Sequence, residues 1–202
     1  MAENPRPDDY AMIVCAGLIL AGGRGLRLQG ADKGWAQWRG RALIEHVVYR
    51  LRPQVGALMI SANRNQDRYR MLTPVVVADA DPEAFAGPLA GICAGLRACP
   101  SEWLAVVPCD APLLPLDLVG RLLAAGRGRA AACVELETGV EPLFCVLRAS
   151  LAPRLQTSLA AGERSAQAWL RSIAAVAVSC ADRSAFSNIN TPADLSDTAS
   201  TS

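Results

Sequence analysis

The sequence predicts an α/β fold, with a mostly parallel central sheet and helices on both faces. Three observations point there. Short apolar runs alternate with longer stretches of helical periodicity. Several of the short runs are apolar at every position, as expected of strands covered on both faces. The elements follow one another as strand, helix, strand, helix, which argues for parallel strands joined by crossover helices.

The elements can be placed in order. Strands are expected over 13–20, 57–61, 75–78, 103–107, 130–134, 143–146 and 174–178. Helices are expected over 42–52, 88–98, 116–125, 150–160 and 165–171. The first strand is apolar throughout and runs into Ala21-Gly22-Gly23. No repeat and no linker divides the chain, so a single domain over 11–196 is expected, with flexible termini at 1–10 and 197–202.

Composition excludes several classes. Lys+Arg is 20 against 19 for Asp+Glu, so the chain lacks the basic excess of a general nucleic-acid binder. Lys33 is the only lysine and His46 the only histidine. One histidine excludes sites needing two, and a Ser-His-Asp triad would have to use His46. His46 itself falls in a predicted helix and reads as a surface or packing residue. The seven cysteines show no Cys-x-x-Cys spacing, so zinc-ribbon and dithiol redox sites lack support. The longest apolar run, 11–21, is too short to span a bilayer, and its acidic leader does not suit an export signal. A reducing cytoplasm, with no membrane and no nucleic acid as partner, is the expected setting.

In open α/β sheets ligands bind outside the carboxyl ends of the strands. The loop after the first strand holds five glycines between Gly22 and Gly34, together with Arg24, Arg27 and Lys33. Glycines let a backbone approach an anion, and successive N–H groups can form an anion-binding nest. Arg27 and Lys33 could neutralise phosphate charge. Two familiar phosphate motifs fail here. Gly25-x4-Gly30 is followed by Ala31-Asp32 rather than Lys-Ser/Thr, and position 28 is leucine where a dinucleotide fingerprint needs glycine or alanine. The loop reads as a phosphate cradle of another kind.

Acids mark two further strand ends. Asp110 follows the strand at 103–107, where a carboxylate can hold Mg²⁺ alongside waters and phosphate oxygens. A turn aspartate before proline would look the same. Asp79 and Asp81 follow the strand at 75–78, with Asp79 nearer its end. Gly87-Pro88-Leu89-Ala90-Gly91 then opens a helix, where glycines would admit a ligand.

Together these segments resemble the molybdenum cofactor guanylyltransferases, within the Rossmann-like nucleotidyltransferases. The carrying motifs are Leu20-Ala21-Gly22-Gly23 with Arg27, Asp32-Lys33-Gly34, Ser61-Ala62-Asn63-Arg64, Val77-Ala78-Asp79, Gly87 to Gly91, Pro108-Cys109-Asp110, Ala161-Gly162-Glu163-Arg164 and Asn188-Ile189-Asn190-Thr191-Pro192. They keep the family's order from about residue 16 to residue 195. One departure is Leu28-Gln29, where the family usually has Met-Gly.

The resemblance implies transfer of GMP from Mg·GTP to the terminal phosphate of molybdenum-bearing molybdopterin. Pyrophosphate leaves and a molybdopterin guanine dinucleotide cofactor forms. By position, Leu20, Ala21, Gly22, Gly23 and Gly91 would hold the nucleotide. Arg27 and Lys33 would contact phosphates, Asn63 and Asp79 the guanosine part, and Asp110 Mg²⁺. Arg164, Asn188 and Asn190 would lie on the cofactor and product side. Passing contacts with other cofactor-assembly proteins or acceptor enzymes are also implied. A cytidylyltransferase, another small-substrate nucleotidyltransferase, and a non-catalytic nucleotide or cofactor binder remain alternatives at this stage.

Overall fold

A computed structural model of the chain describes residues 15–22, 32–79 and 87–189. The strands are β1 (Cys15–Leu20), β2 (Gln37–Trp38), β3 (Arg41–Ala42), β4 (Ala57–Ser61), β5 (Val75–Val77), β6 (Trp103–Pro108), β7 (Ala131–Leu136), β8 (Gly139–Arg148) and β9 (Val176–Ser179). The helices are α1 (Leu43–Leu51), α2 (Gln66–Arg70), α3 (Pro88–Ala98), α4 (Leu118–Ala125), α5 (Ala152–Ala160) and α6 (Ala166–Ser172).

Among the described residues, seven strands form one sheet in the order β5-β4-β1-β6-β8-β7-β9. Strand β1 is third in that order, parallel to β4 and β6, and β5 continues the parallel set beside β4. Strand β8 alone runs against both of its neighbours, and β9 pairs parallel with β7. The sheet is therefore mostly parallel, as predicted.

Its two faces bury separate cores. Cys15 and Ile19 of β1 point into one, with Ile44, Val47 and Leu51 of α1 and Leu118 and Leu122 of α4. Ala16 and Leu18 point into the other, with Leu89, Ile92 and Leu96 of α3, Leu155 of α5 and Trp169 of α6. Alternate residues of a strand face opposite sides. A strand covered twice must therefore be apolar at every position, and β1 is.

Several boundaries differ from the sequence reading for identifiable reasons. The runs at 130–134 and 143–146 are arms of one longer antiparallel hairpin, β7–β8. Its register slips after Cys133, because residues 142–144 of the partner arm are passed over. Pro142 lies there and has no N–H for the ladder. Helix α4 begins at Leu118 rather than at 116, and Leu116, 61% exposed, lies in the preceding turn. Strand β9 begins at Val176 because Ala174 has φ +53°, which an extended strand cannot accommodate. The two-residue strands β2 and β3 and the short helix α2 carry no readable periodicity and were not predicted.

His46 is a packing residue, as expected: its Nε2 lies 2.9 Å from the Trp38 carbonyl oxygen, and its ring meets Trp38 edge-on at 4.9 Å. No helix among the described residues is long and apolar enough to cross a membrane. The predicted termini at 1–10 and 197–202 lie outside the described residues.

Candidate functional site

The carboxyl ends of β5, β4, β1 and β6 share one edge of the sheet. At the end of β1, the Cys109 N–H donates to the Leu20 carbonyl at 3.1 Å, and the Ala21 N–H donates to the Ser61 carbonyl at 2.8 Å. The start of the glycine loop is thus pinned between β4 and β6. Gly22 follows, exposed, and a Cβ built there would lie 3.8 Å from Asn63 Nδ2. Gly22 and Asn63 are therefore neighbours. Gly23 and Arg27 lie outside the described residues.

Asn63 and Asp79 form a two-point pair. Asn63 Nδ2 donates to Asp79 Oδ2 at 2.8 Å, and the Asp79 N–H donates to Asn63 Oδ1 at 2.9 Å. Parallel pairing of β4 with β5 brings their carboxyl ends side by side and makes this contact. The structure thus sets Asp79 beside Asn63, while Asp81 lies outside the described residues.

Asp110 is 8% exposed at the end of β6. Its carboxylate accepts from the Lys33 ammonium, which reaches it from the turn Lys33–Trp35. Its backbone carbonyl accepts from the Ile189 N–H at 2.8 Å, so Asn188 is brought to the same edge from the far end of the chain. Asn190 lies outside the described residues.

Gly91 stands in the first turns of α3 and is buried. A Cβ there would come within 2.5 Å of the Ser61 hydroxyl. Glycine at 91 therefore lets α3 sit close against β4. Arg164 is exposed just before α6, its guanidinium donating to the Leu159 carbonyl at 2.9 Å and the Glu163 carbonyl at 2.8 Å. Its own carbonyl lies near Gly87, since a Cβ there would be 3.6 Å away.

Electrostatics decide what this edge can do. Burial, reinforced by the Asp110 charge, pushes the Cys109 thiol well above its ordinary range, so it is no nucleophile. Burial also pushes the Glu141 carboxyl up, with Arg183 opposing. Among the described residues no three His, Cys, Asp or Glu side chains gather into a cage for a metal. One carboxylate at Asp110 suits a hard cation that arrives with phosphate oxygens and waters, as Mg²⁺ does. The arrangement can bind and neutralise a polyanion; among the described residues this edge offers no covalent catalyst.

Sequence reading missed the support beneath Lys33. Asp32 caps the turn that Lys33 opens, accepting from the Gly34 N–H at 3.3 Å. Tyr69 and Asn65, neither singled out by the sequence, donate to the same carboxylate at 2.5 and 3.0 Å. The one available signal was an acid two residues before a glycine, a common turn pattern.

The architecture is that of nucleotidyltransferases. Molybdopterin-guanine dinucleotide biosynthesis protein A from Archaeoglobus fulgidus superposes with a TM-score of 0.72 at 24% identity, covering 89% of this chain and 94% of that one. The 4-diphosphocytidyl-2C-methyl-D-erythritol synthase of Anaerococcus prevotii superposes with a TM-score of 0.69 at 13% identity, covering 91% and 93%. At the sequence level, a molybdenum cofactor guanylyltransferase from Ralstonia nicotianae is 46% identical over 190 residues, covering 89% of this chain and 93% of that protein. The profile of the MobA-like NTP transferase domain matches residues 17–178. The chain belongs to the MobA-like NTP transferase family.

Proposed function

We propose that this chain transfers GMP from Mg·GTP to the terminal phosphate of molybdenum-bearing molybdopterin. The products are pyrophosphate and a molybdopterin guanine dinucleotide cofactor. The observation that carries the choice of reaction is the 46% identity over 190 residues to a molybdenum cofactor guanylyltransferase. The carboxyl-edge geometry supports it with residues suited to each part of a nucleotide.

In this reading an oxygen of the pterin's terminal phosphate forms a bond to the α-phosphorus of GTP, and the bond from that phosphorus to the bridging oxygen breaks. The attacking oxygen is already ionised, so the step needs no general base. This suits an edge whose thiol is held neutral and whose chain has one histidine, packed on Trp38. In-line positioning and charge neutralisation are what remain for the protein to supply.

The backbone at Leu20, Ala21, Gly22 and Gly23 receives the nucleotide. Arg27 and Lys33 neutralise phosphate oxygens as charge moves to the leaving pyrophosphate. Asn63 and Asp79 present their remaining polar atoms to the guanosine. Gly91 serves the site by letting α3 approach β4. Asp110 holds Mg²⁺, which when bound screens the phosphate charge. Arg164, Asn188 and Asn190 take the cofactor side. One transferase domain over 11–196, a reducing cytoplasm and brief handover contacts with cofactor-assembly proteins or acceptor enzymes complete the reading. The seven free thiols suit such a compartment.

The test is to incubate the protein with Mg²⁺, molybdenum-bearing molybdopterin and either GTP or CTP, then quantify pyrophosphate and dinucleotide. Pyrophosphate with GTP, and little with CTP, is the expected result. Release with CTP alone would overturn the guanylyl assignment. No release with either would leave a nucleotide or cofactor binder.

A further inference from the structure

We propose that Tyr69 is a positioning residue for Lys33, acting through the carboxylate of Asp32. The inference rests on the reading of Lys33 as a phosphate contact.

Lysine carries its charge on a flexible four-carbon stem, so aiming the ammonium depends on how firmly the backbone beneath it is held. Here the residues flanking Lys33 are gripped by one short helix and its cap. Asp32 accepts from the Tyr69 hydroxyl at 2.5 Å and from Asn65 Nδ2 at 3.0 Å, while it also caps the turn at Gly34. The Trp35 ring stands 5.2 Å from the Tyr69 ring, and the Arg68 guanidinium lies 3.8 Å over Trp35. Gly34 is buried, and a Cβ there would come within 2.7 Å of the Tyr69 hydroxyl, so the phenol touches the turn directly. Positions 32, 34 and 35 are thus fixed by Asn65, Arg68 and Tyr69. Lys33, between them, is left to extend toward Asp110.

The hydroxyl rather than the ring makes the connection. Tyr69 is fully buried, and its phenol is pushed far above its ordinary range, first by burial and then by the bond to Asp32. It therefore stays a donor. Helix α2 directly follows the β4 end that carries Asn63. The same short segment therefore connects the Asn63–Asp79 pair to the turn that bears Lys33.

Tyr69→Phe deletes the hydroxyl and keeps the ring against Trp35. Because Lys33 is the only lysine, full-length protein labelled with ε-¹⁵N-lysine gives one side-chain ammonium resonance. In Tyr69→Phe that resonance is expected to shift and broaden, and turnover in the GTP assay to fall about tenfold, the scale of one hydrogen bond to a charged group. In a Lys33→Ala background, adding Tyr69→Phe should change residual turnover little, because both act on one element. Asn65→Gly, which tolerates the positive φ of +52° at that exposed position, should move the resonance in the same direction by less. It serves if Tyr69→Phe does not fold.

An unmoved lysine resonance in both variants overturns the proposal. So does an equal fractional loss of turnover with and without Lys33. Full turnover in Lys33→Ala would instead defeat the phosphate role of Lys33 and remove the catalytic meaning of the clamp. The resonance separates the two failures, since it reports the lysine whether or not the reaction uses it.

Discussion

The ammonium of Lys33 donates to the carboxylate of Asp110, joining the turn after the glycine loop to the end of β6 across 77 residues of sequence. Two opposite charges are thereby held at the sheet edge without a large net field. In the proposed reaction phosphate oxygens would compete for the lysine, and a divalent cation would compete for the aspartate. Lys33→Ala is expected to lower turnover by about 10²- to 10³-fold, the range for removing one preorganised donor. Lys33→Arg should recover little of it, since the guanidinium fork is larger and planar. Initial rates of pyrophosphate release decide the matter, and near-normal rates for arginine would contradict the need for a compact charge.

Asp110→Asn keeps the shape of the side chain and removes its charge. Turnover is expected to fall by at least about 100-fold at every Mg²⁺ concentration, with an unchanged far-UV spectrum. Titration of Mg²⁺ against pyrophosphate release, wild type beside variant, is the measurement. An unaltered Mg²⁺ dependence would remove Asp110 from the metal role.

Asn63 and Asp79 share two hydrogen bonds, so neither acts alone. Asn63→Ala and Asp79→Ala should each raise the KM for GTP about tenfold, and the double variant should do little more. Steady-state kinetics of all three would expose the coupling. Independent, multiplying effects would mean that the pair does not work as a unit at the guanosine.

Alkaline pH should destabilise the fold over a defined window. Burial pushes the Cys15 thiol from 9.0 up to about 12 and the Cys133 thiol to about 11. Cys93, Cys99, Cys109 and Cys145 are raised as well, each chiefly by burial. An unfolded chain releases these protons near pH 9, whereas the folded chain retains them. The stability from neutral buried thiols is therefore complete below pH 9 and is lost as pH rises toward 12. Calorimetry in the presence of a reductant should show the Tm falling steadily between those limits. A flat Tm across them would contradict the burial of these thiols.

The sheet was legible because β1, β4 and β6 are buried on two faces and so leave unbroken apolar runs. The predicted range of β4 coincides with the observed one, as does that of α3. Ala174 escaped detection because nothing in an alanine announces a positive φ, and the β7–β8 hairpin because the passed-over residues around Pro142 break the pattern within its second arm. At the edge, Lys33, Asn63, Asp79 and Asp110 were legible as residues placed after strands or within the glycine-rich stretch. Their mutual contacts were not, since each joins segments distant in sequence. Tyr69 was invisible for a different reason: an aromatic residue in a short polar helix gives no sign of which backbone turn it will meet.

The bond from the Ile189 N–H to the Asp110 carbonyl also orders events during synthesis. A ribosome releases β1, Lys33 and β6 well before it has made β9 and the segment that returns from it. At roughly 5–20 residues per second this interval is on the order of seconds. Through that time the nascent chain holds β1, β4 and β6, yet it lacks the segment whose Ile189 N–H closes against Asp110. Asn188 follows β9 in the sequence, so translation itself delays assembly of the complete edge until the strands beneath it have been made.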